Sequence, residues 1–163
     1  MTIMQSIITG LLWFSAIGCG LLGDLYFAFS TFIMTALGRI DQAAGIAAMN
    51  AINATIVQSL FMPLFLGTSL ASLVLAGRSL FHMSEPGALA MLAGGVLYVI
   101  GMFAVTMVLN VPLNNALAAV DPGSAEGAQI WARYLKDWVF WNRVRTIASI
   151  AACALFIGAI AAR

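Results

Sequence analysis

Amide, aromatic and guanidinium side chains recur at helical spacing inside segments that are otherwise apolar. The longest set has intervals of three or four residues, which places its members on one helix face: Trp131, Tyr134, Trp138, Asn142 and Arg145. Two asparagine pairs are spaced in the same way, Asn50 with Asn53 and Asn110 with Asn114. Amide and guanidinium N–H groups stabilise an oxyanion in a dry pocket, and indole rings stack on flat molecules. We therefore predict that the three faces converge on a pocket walled by tryptophan and tyrosine and floored by asparagine and arginine.

The composition indicates that this pocket lies in a membrane protein. Of the 163 residues, 63% are apolar and 8% are charged, and the mean hydropathy is +1.02. Soluble domains average about 45–50% apolar and about 25% charged residues. We therefore predict an integral membrane protein. The net charge of +1 provides no basic surface for phosphates, so we expect no nucleic-acid partner.

The residue types that bind metals and cofactors are scarce. His82 is the single histidine, so a multi-histidine metal site cannot form. Cys19 and Cys153 both lie in apolar runs, which favours packing over a disulfide. The string GCGLLG (18–23) has the GxGxxG spacing, but it lies inside a long apolar segment with no strand before it, so it favours close helix packing over dinucleotide binding, and there is no phosphate-binding loop. We therefore expect no metal and no cofactor.

Three loops, at residues 38–42, 77–87 and 121–124, divide the chain into four long apolar segments. Each loop contains a candidate cap for the helix that follows: Asp41, Ser84 and Ser124. The first segment lacks the basic start and the cleavage site of a signal peptide, so we expect it to be retained. We predict one all-α domain, an up-down-up-down four-helix membrane bundle with helices at about 4–37, 42–76, 86–119 and 125–162.

The predicted helices are longer than a bilayer requires. At 1.5 Å per residue they extend about 50–57 Å, whereas the hydrocarbon is roughly 30 Å thick. On each helix, the first strongly polar interior residue lies about 26–36 Å from the end that holds both termini: Asp24, Asn53, Asn110 and Arg145. We therefore predict that the bundle protrudes from the bilayer on the side of the first and third loops, and that the polar pocket lies on that side.

The basic residues favour one orientation. Arg39, Arg133 and Lys136 lie on the side of the first and third loops, against Arg78 and Arg163 on the other side. Because basic residues concentrate on the cytoplasmic side of membrane proteins, we expect the pocket to face the cytoplasm. The expected location is a bacterial inner membrane.

Simpler interpretations exist for each of these residues. Asparagines in membrane helices also form hydrogen bonds between helices, which contribute about 0.6–2 kcal/mol each. Trp131, Trp138 and Trp141 are also of the type that anchors helices at the membrane interface. Asp24 is the one carboxylate at a depth comparable to that of Arg145, so it is either a structural counter-ion or part of the site.

Several segments resemble the anthrone oxygenases, a family of small membrane proteins that includes many members of unknown function. These segments are YFAFSTFIMTAL (26–37), GIAAMNAIN (45–53), LFMPLFLGT (60–68), NVPLNNAL (110–117) and WARYLKDWVFWNRVRTIAS (131–149). The resemblance implies a four-helix membrane fold and oxidation of a polyketide anthrone to an anthraquinone with molecular oxygen, without metal or flavin. When the family's functional residues are carried over by position, the resemblance implies that the site contains Asn53, Asn110, Asn114, Trp138, Asn142 and Arg145. Asp24 departs from the family pattern, in which a small residue is usual.

The chemistry of an anthrone suggests a role for each candidate residue. Loss of the proton opposite the carbonyl gives an electron-rich anion that can pass an electron to oxygen. We expect Trp138 and Trp131 to stack on the ring, and Arg145, Asn142 and Asn110 to bind the oxyanion. The remaining predicted contacts with substrate are Tyr134, Asn50, Asn53 and Asn114. The candidate bases are Asp24, then Tyr134, then a water molecule.

Three functions remain open at this stage. The first is a cofactor-free membrane monooxygenase that acts on a hydrophobic aromatic or quinone-like small molecule with molecular oxygen. The second is a non-catalytic membrane module that binds a lipid, a quinone or a partner helix. The third is a small transporter subunit, which would have to form a homo-oligomer to enclose a path. Membrane lipid is an expected partner in all three cases.

Overall fold

The computed structural model describes residues 2–163, and within them it has five helices and no strand. The helices are α1 (Ile3–Leu37), α2 (Gln42–Ile56), α3 (Phe61–Phe81), α4 (Ala88–Ala118) and α5 (Ala125–Ala161). All of them except α2 are long and apolar enough to cross a membrane. The predicted all-α membrane bundle with four spans is therefore confirmed. The main packing contacts join α5 with α1 and with α4, and α3 packs against α4.

The predicted second helix, 42–76, is two helices separated by residues 57–60. Ser59 stabilises the break, because its hydroxyl donates to the Ile56 carbonyl at 2.8 Å and accepts from the Phe61 N–H at 3.2 Å. Pro63 lies in the first turn of α3, where its missing N–H needs no partner. The chain therefore stops and restarts the helix here.

Local side-chain bonds define where the other helices begin. The Asp41 carboxylate accepts from the Ala44 N–H at 3.2 Å, and the Ser124 hydroxyl accepts from the Gly127 N–H at 2.9 Å. Ser84 does not cap α4, contrary to prediction. Gly87 takes that position with φ of 78°, and a Cβ there would lie 2.8 Å from the Ala159 carbonyl oxygen.

Each of the helices α1, α4 and α5 contains π-helical turns. These turns occupy Phe29–Ile33 in α1, Leu97–Ala104 and Thr106–Asn110 in α4, and Tyr134–Trp138 in α5. Pro112 follows the second α4 segment and cannot donate to the Val108 carbonyl, which favours the altered backbone there. A π-helical turn shifts main-chain hydrogen bonds by one residue and often occurs at functional sites. Three of these segments surround the cavity described below.

Two clusters of buried side chains form the core. One follows the membrane-spanning parts of α1, α3, α4 and α5 and includes Tyr26, Tyr98 and Phe156. The other lies toward the α1–α2 and α4–α5 loops and includes Phe29 and Trp138. Large apolar side chains cover the outer faces, as expected of a surface in contact with lipid. The polar candidate residues lie where the two clusters meet.

Candidate active site

A cavity of about 250 Å³ lies between the two core clusters, and all five helices contribute to its wall. Most of its lining is apolar, and its volume approaches the lower limit of about 300 Å³ for typical ligand sites. The polar and aromatic side chains that line it are Tyr26, Phe29, Asn53, Phe61, Phe65, Thr106, Asn114, Trp138, Asn142 and Arg145. A wider hollow of about 610 Å³ at the other end of the bundle contains none of the predicted site residues.

Arg145 is the central residue of this cavity, and it is only 5% exposed. Its Nη2 donates to Asn142 Oδ1 at 2.6 Å, and its Nη1 donates to Thr106 Oγ1 at 3.3 Å. Its Cζ lies 4.4 Å from the centre of the Tyr26 ring and 5.3 Å from that of Trp138. Its Nε has no partner. Among residues 2–163 no carboxylate forms an ion pair with it, so this buried cation keeps N–H groups for a ligand.

Asn142 positions the guanidinium. Its Nδ2 donates to the Tyr26 carbonyl and to Ser30 Oγ, both at 2.7 Å, so both amide hydrogens are in use. Its Oδ1 accepts from Arg145. The Tyr26 carbonyl lies one turn before the π-helical segment of α1, where the main-chain bonds change register. Asn142 therefore links α1 to Arg145 and has no N–H left for an oxyanion, contrary to its predicted role.

Asn110 is fully buried and does not line the cavity. Its Nδ2 donates to the Trp138 carbonyl at 3.2 Å, at the end of the π-helical segment of α5. Its Oδ1 has no partner. The structure therefore places Asn110 behind the cavity wall, joining α4 to α5, and corrects its predicted role as an oxyanion donor.

The aromatic residues of α5 stack on one another. Ring centres are 5.8 Å apart for Trp131 and Tyr134 and 5.4 Å apart for Tyr134 and Trp138, with 16° between the planes in both pairs. The Tyr134 hydroxyl donates to Asn114 Oδ1 at 2.7 Å. Of the three rings only Trp138 lines the cavity, and its Nε1 has no partner. Trp131 and Tyr134 therefore support Trp138 and do not reach a ligand in the cavity.

The α2 asparagines differ in position. Asn53 lines the cavity, and its Nδ2 has no partner. Asn50 lies outside the lining, and its Nδ2 donates to the Leu117 carbonyl at 3.3 Å. Asn114 of α4 also lines the cavity. Asn53 and Asn114 are therefore placed to meet a ligand, whereas Asn50 joins α2 to α4.

Asp24 lies on the exposed outer face of α1 and forms no ion pair with Arg145. Successive helical residues are about 100° apart, so Asp24 is about 200° from Tyr26, which faces the cavity. The predicted role of Asp24 as counter-ion is therefore wrong, and its side chain lies outside the cavity lining in which a base would act. A similar depth in the membrane does not predict an ion pair between Asp24 and Arg145, because the helix face decides which side chain contacts Arg145.

The sequence interpretation missed several residues that shape the cavity, among them Thr106, Phe61 and Phe65. Thr106 holds Arg145, and Phe61 and Phe65 stack on each other at 5.5 Å between ring centres. Thr106 lies four residues before Asn110, a spacing that could have revealed it. The two phenylalanines lie in an apolar run, where nothing distinguishes them from other lipid-facing or core residues.

The described residues contain no group of three histidine, cysteine, aspartate or glutamate side chains that could hold a metal ion. Cys19 and Cys153 are both free. Fold and site together define an integral membrane helix bundle with a mostly apolar, arginine-centred cavity.

Residues 53–155 match the family model described as anthrone oxygenase. The matched segment covers well over half of the chain, so the protein belongs to the anthrone oxygenase family. It includes Asn53, Asn114, Trp138, Asn142 and Arg145, whereas Tyr26 of α1 lies outside it. Neither the curated proteins nor the solved structures gave a significant match.

Proposed function

We propose that this protein is a membrane monooxygenase that oxidises a hydrophobic aromatic or quinone-like molecule with molecular oxygen, without a cofactor. The observation that supports the proposal is the buried Arg145 cation, which faces a mostly apolar cavity and has no carboxylate partner within residues 2–163. Burial of an unpaired charge costs free energy, so a buried arginine without a carboxylate partner is expected where an anion forms during function. An ionised anthrone-like ring is an anion of this kind.

The free donors around the cavity suit such an anion. Besides the guanidinium, Trp138 Nε1 and Asn53 Nδ2 belong to lining residues and have no partner. Donors fixed in a dry site stabilise charge that develops on an oxygen, and each is worth about 10²–10³ in rate. The ring anion, once formed, is electron-rich enough to reduce oxygen by itself. The task of the protein is then to form the anion and to hold it.

The apolar wall of the cavity provides surfaces for the ring. Phe61 and Phe65 form a nearly parallel pair, with 19° between their planes, and Phe29 packs edge-on against Trp138. All four of these rings line the cavity. Trp138 lies beside Tyr134 and Arg145, so we propose that the phenylalanine rings contribute most of the contact with a flat substrate.

A groove on the outer surface offers a route into the cavity from the membrane. It runs between α1 and α2 along the helix break. Four residues line both the groove and the cavity: Leu25, Phe29, Ile52 and Ile56. We propose that the substrate dissolves in the bilayer and passes between these side chains.

The location of the site relative to the membrane is also a proposal. Arg39, Arg133 and Lys136 lie at the end of the bundle nearer the cavity, which supports a site that faces the cytoplasm. The proposed host membrane is a bacterial inner membrane.

The test is oxygen consumption and anthraquinone formation from a simple anthrone, with purified, chelator-treated protein in nanodiscs. We expect turnover above the spontaneous rate in the wild type and its loss in Arg145→Ala. The matched control is Arg133→Ala, which removes an exposed arginine of the same helix whose partner is Asp137. A wild type that only matches the protein-free rate would overturn the oxygenase proposal. Tight ring binding without turnover would then identify a non-catalytic binding module.

A further inference from the structure

The lining of the cavity contains two titratable side chains, Tyr26 and Arg145, among the residues that the structure describes. Formation of a carbanion from a C–H group requires a base within reach of that proton. A guanidinium stays protonated in proteins and cannot serve. The tyrosine phenol is the remaining side chain of the lining that can give up and take back a proton.

The contacts of Tyr26 leave its hydroxyl nearly free. The residue is 3% exposed, and its hydroxyl donates only to Met102 Sδ, at 3.6 Å. A thioether is a weak acceptor, so this hydrogen bond stabilises the protonated phenol only slightly. Thr106, which accepts from Arg145, also lies 3.7 Å from the same sulfur. The phenol therefore lies close to the group that fixes the guanidinium.

The charged and titratable groups near Tyr26 come from the helices packed around it. Arg145 of α5 faces its ring, and Tyr98 of α4 belongs to the same core cluster. Helix α2 contains no titratable residue, and the one charged residue of α3, Arg78, forms an ion pair with Glu85 at the far end of the bundle. On α1 itself, Asp24 faces outward and Cys19 is buried deeper in the core. A Tyr26 phenolate would thus balance the one buried cation of the site.

We propose that Tyr26 is the catalytic base, an inference that rests on the proposed oxygenase function. Its phenolate takes a proton from the reacting carbon of the substrate, so the C–H bond breaks and the electron pair stays on the ring anion held by Arg145. The anion reduces molecular oxygen and combines with it, and the Tyr26 hydroxyl returns its proton to the peroxide. The phenolate then removes the second proton from the same carbon. The C=O bond forms, the O–O bond breaks, and hydroxide leaves, which takes the proton from Tyr26 to become water.

The decisive variant is Tyr26→Phe, which keeps the ring beneath Arg145 and removes the hydroxyl. We expect kcat to fall by about 100-fold or more, as is typical for loss of a general base, with KM little changed. The matched control is Tyr98→Phe, because Tyr98 is fully buried, has an unpartnered hydroxyl and does not line the cavity. We expect this control to retain wild-type turnover.

A second measurement separates proton removal from oxygen chemistry. Under nitrogen and in deuterated water, the wild type should catalyse exchange of the reacting C–H hydrogens of an anthrone, and Tyr26→Phe should not. Binding of a hydroxyanthraquinone, a ring that needs no deprotonation at carbon, should be equal in both proteins. Exchange in the wild type without oxygen consumption would contradict the oxygenase function and still support the base. Wild-type exchange rates in Tyr26→Phe, or no exchange above the protein-free rate in the wild type, would overturn the assignment of Tyr26.

Discussion

Asn142 holds Arg145 by a 2.6 Å hydrogen bond and, through the same amide group, binds the Tyr26 carbonyl of α1 at 2.7 Å. One asparagine therefore joins the helix that carries the cation to the helix that carries the aromatic ring beneath it. The three hydrogen bonds of its amide lie in the protein interior. A polar group that loses its partner there is not rehydrated, so the loss costs free energy. Stability and activity should both depend on this residue.

We predict that Asn142→Ala destabilises the fold. It leaves one Arg145 N–H without its partner and removes the hydrogen bonds to the Tyr26 carbonyl and Ser30 Oγ, at an expected cost of about 2–4 kcal/mol in the free energy of unfolding. Asn53→Ala provides the contrast, because the Nδ2 group of Asn53 lines the cavity without a partner. That variant should change stability by less than about 1 kcal/mol and weaken ring binding instead.

Reversible unfolding in mixed micelles measures both effects, with ring binding recorded on the same samples. Equal losses of stability in the two variants would contradict the assignment of Asn142 as a structural link. If Asn142→Ala had the same free energy of unfolding as the wild type, the hydrogen bonds from the Asn142 side chain to α1 would contribute little to stability.

We predict that Arg145→Lys folds but is a poor catalyst. A lysine ammonium keeps the charge, yet it cannot reach Asn142 and Thr106 together as the planar guanidinium does. The donors would then no longer be fixed before the reaction begins, and kcat/KM should fall by about 10²–10³. Steady-state oxygen consumption over a range of anthrone concentrations gives this value. Wild-type kinetics in the lysine variant would mean that charge alone suffices and that the two fixing bonds are dispensable.

The sequence predicts the spans and the main charge of the site well, for physical reasons. Apolar runs of this length have no other stable environment than lipid. The spacing of Asn142 and Arg145 also places both on one helix face, and the structure shows them bonded. These features depend on local periodicity, which a sequence displays directly.

Features that depend on helix rotation and backbone register are not visible in the sequence. Asp24 lies at a depth in the bundle comparable to that of Arg145, but on the outer face of α1. Asn110 and Asn50 lie outside the cavity lining and bind main-chain carbonyls of neighbouring helices. The π-helical turns shift the face of every residue beyond them, so a regular 3.6-residue count cannot locate the final contacts. The break at residues 57–60 contains neither glycine nor proline, so its sequence does not distinguish it from a continuous helix.

We predict that Asp24→Asn retains wild-type oxygen consumption. The carboxylate lies on the outer face of α1 with no ion pair to Arg145, so its charge does not act in the cavity. The measurement is kcat and KM in nanodiscs at several pH values. A large fall in kcat would show that α1 can rotate to bring Asp24 inward, and it would restore the carboxylate as a candidate base.

We predict that Ile56→Trp slows substrate entry without changing the chemical step. Ile56 lines both the outer groove and the cavity, and a larger side chain there narrows the proposed passage between α1 and α2. The association rate of a bilayer-dissolved hydroxyanthraquinone, followed by stopped-flow absorbance of the ring, should fall by about tenfold. Turnover at saturating substrate should stay near that of the wild type, because Arg145 and Tyr26 are untouched. The control is Leu70→Trp, which adds the same side chain on an exposed part of α3 outside both the groove and the cavity.

Equal association rates in the wild type, Ile56→Trp and Leu70→Trp would place the entrance elsewhere. The exposed Met107 in the α4 wall of the cavity would then be the next position to block.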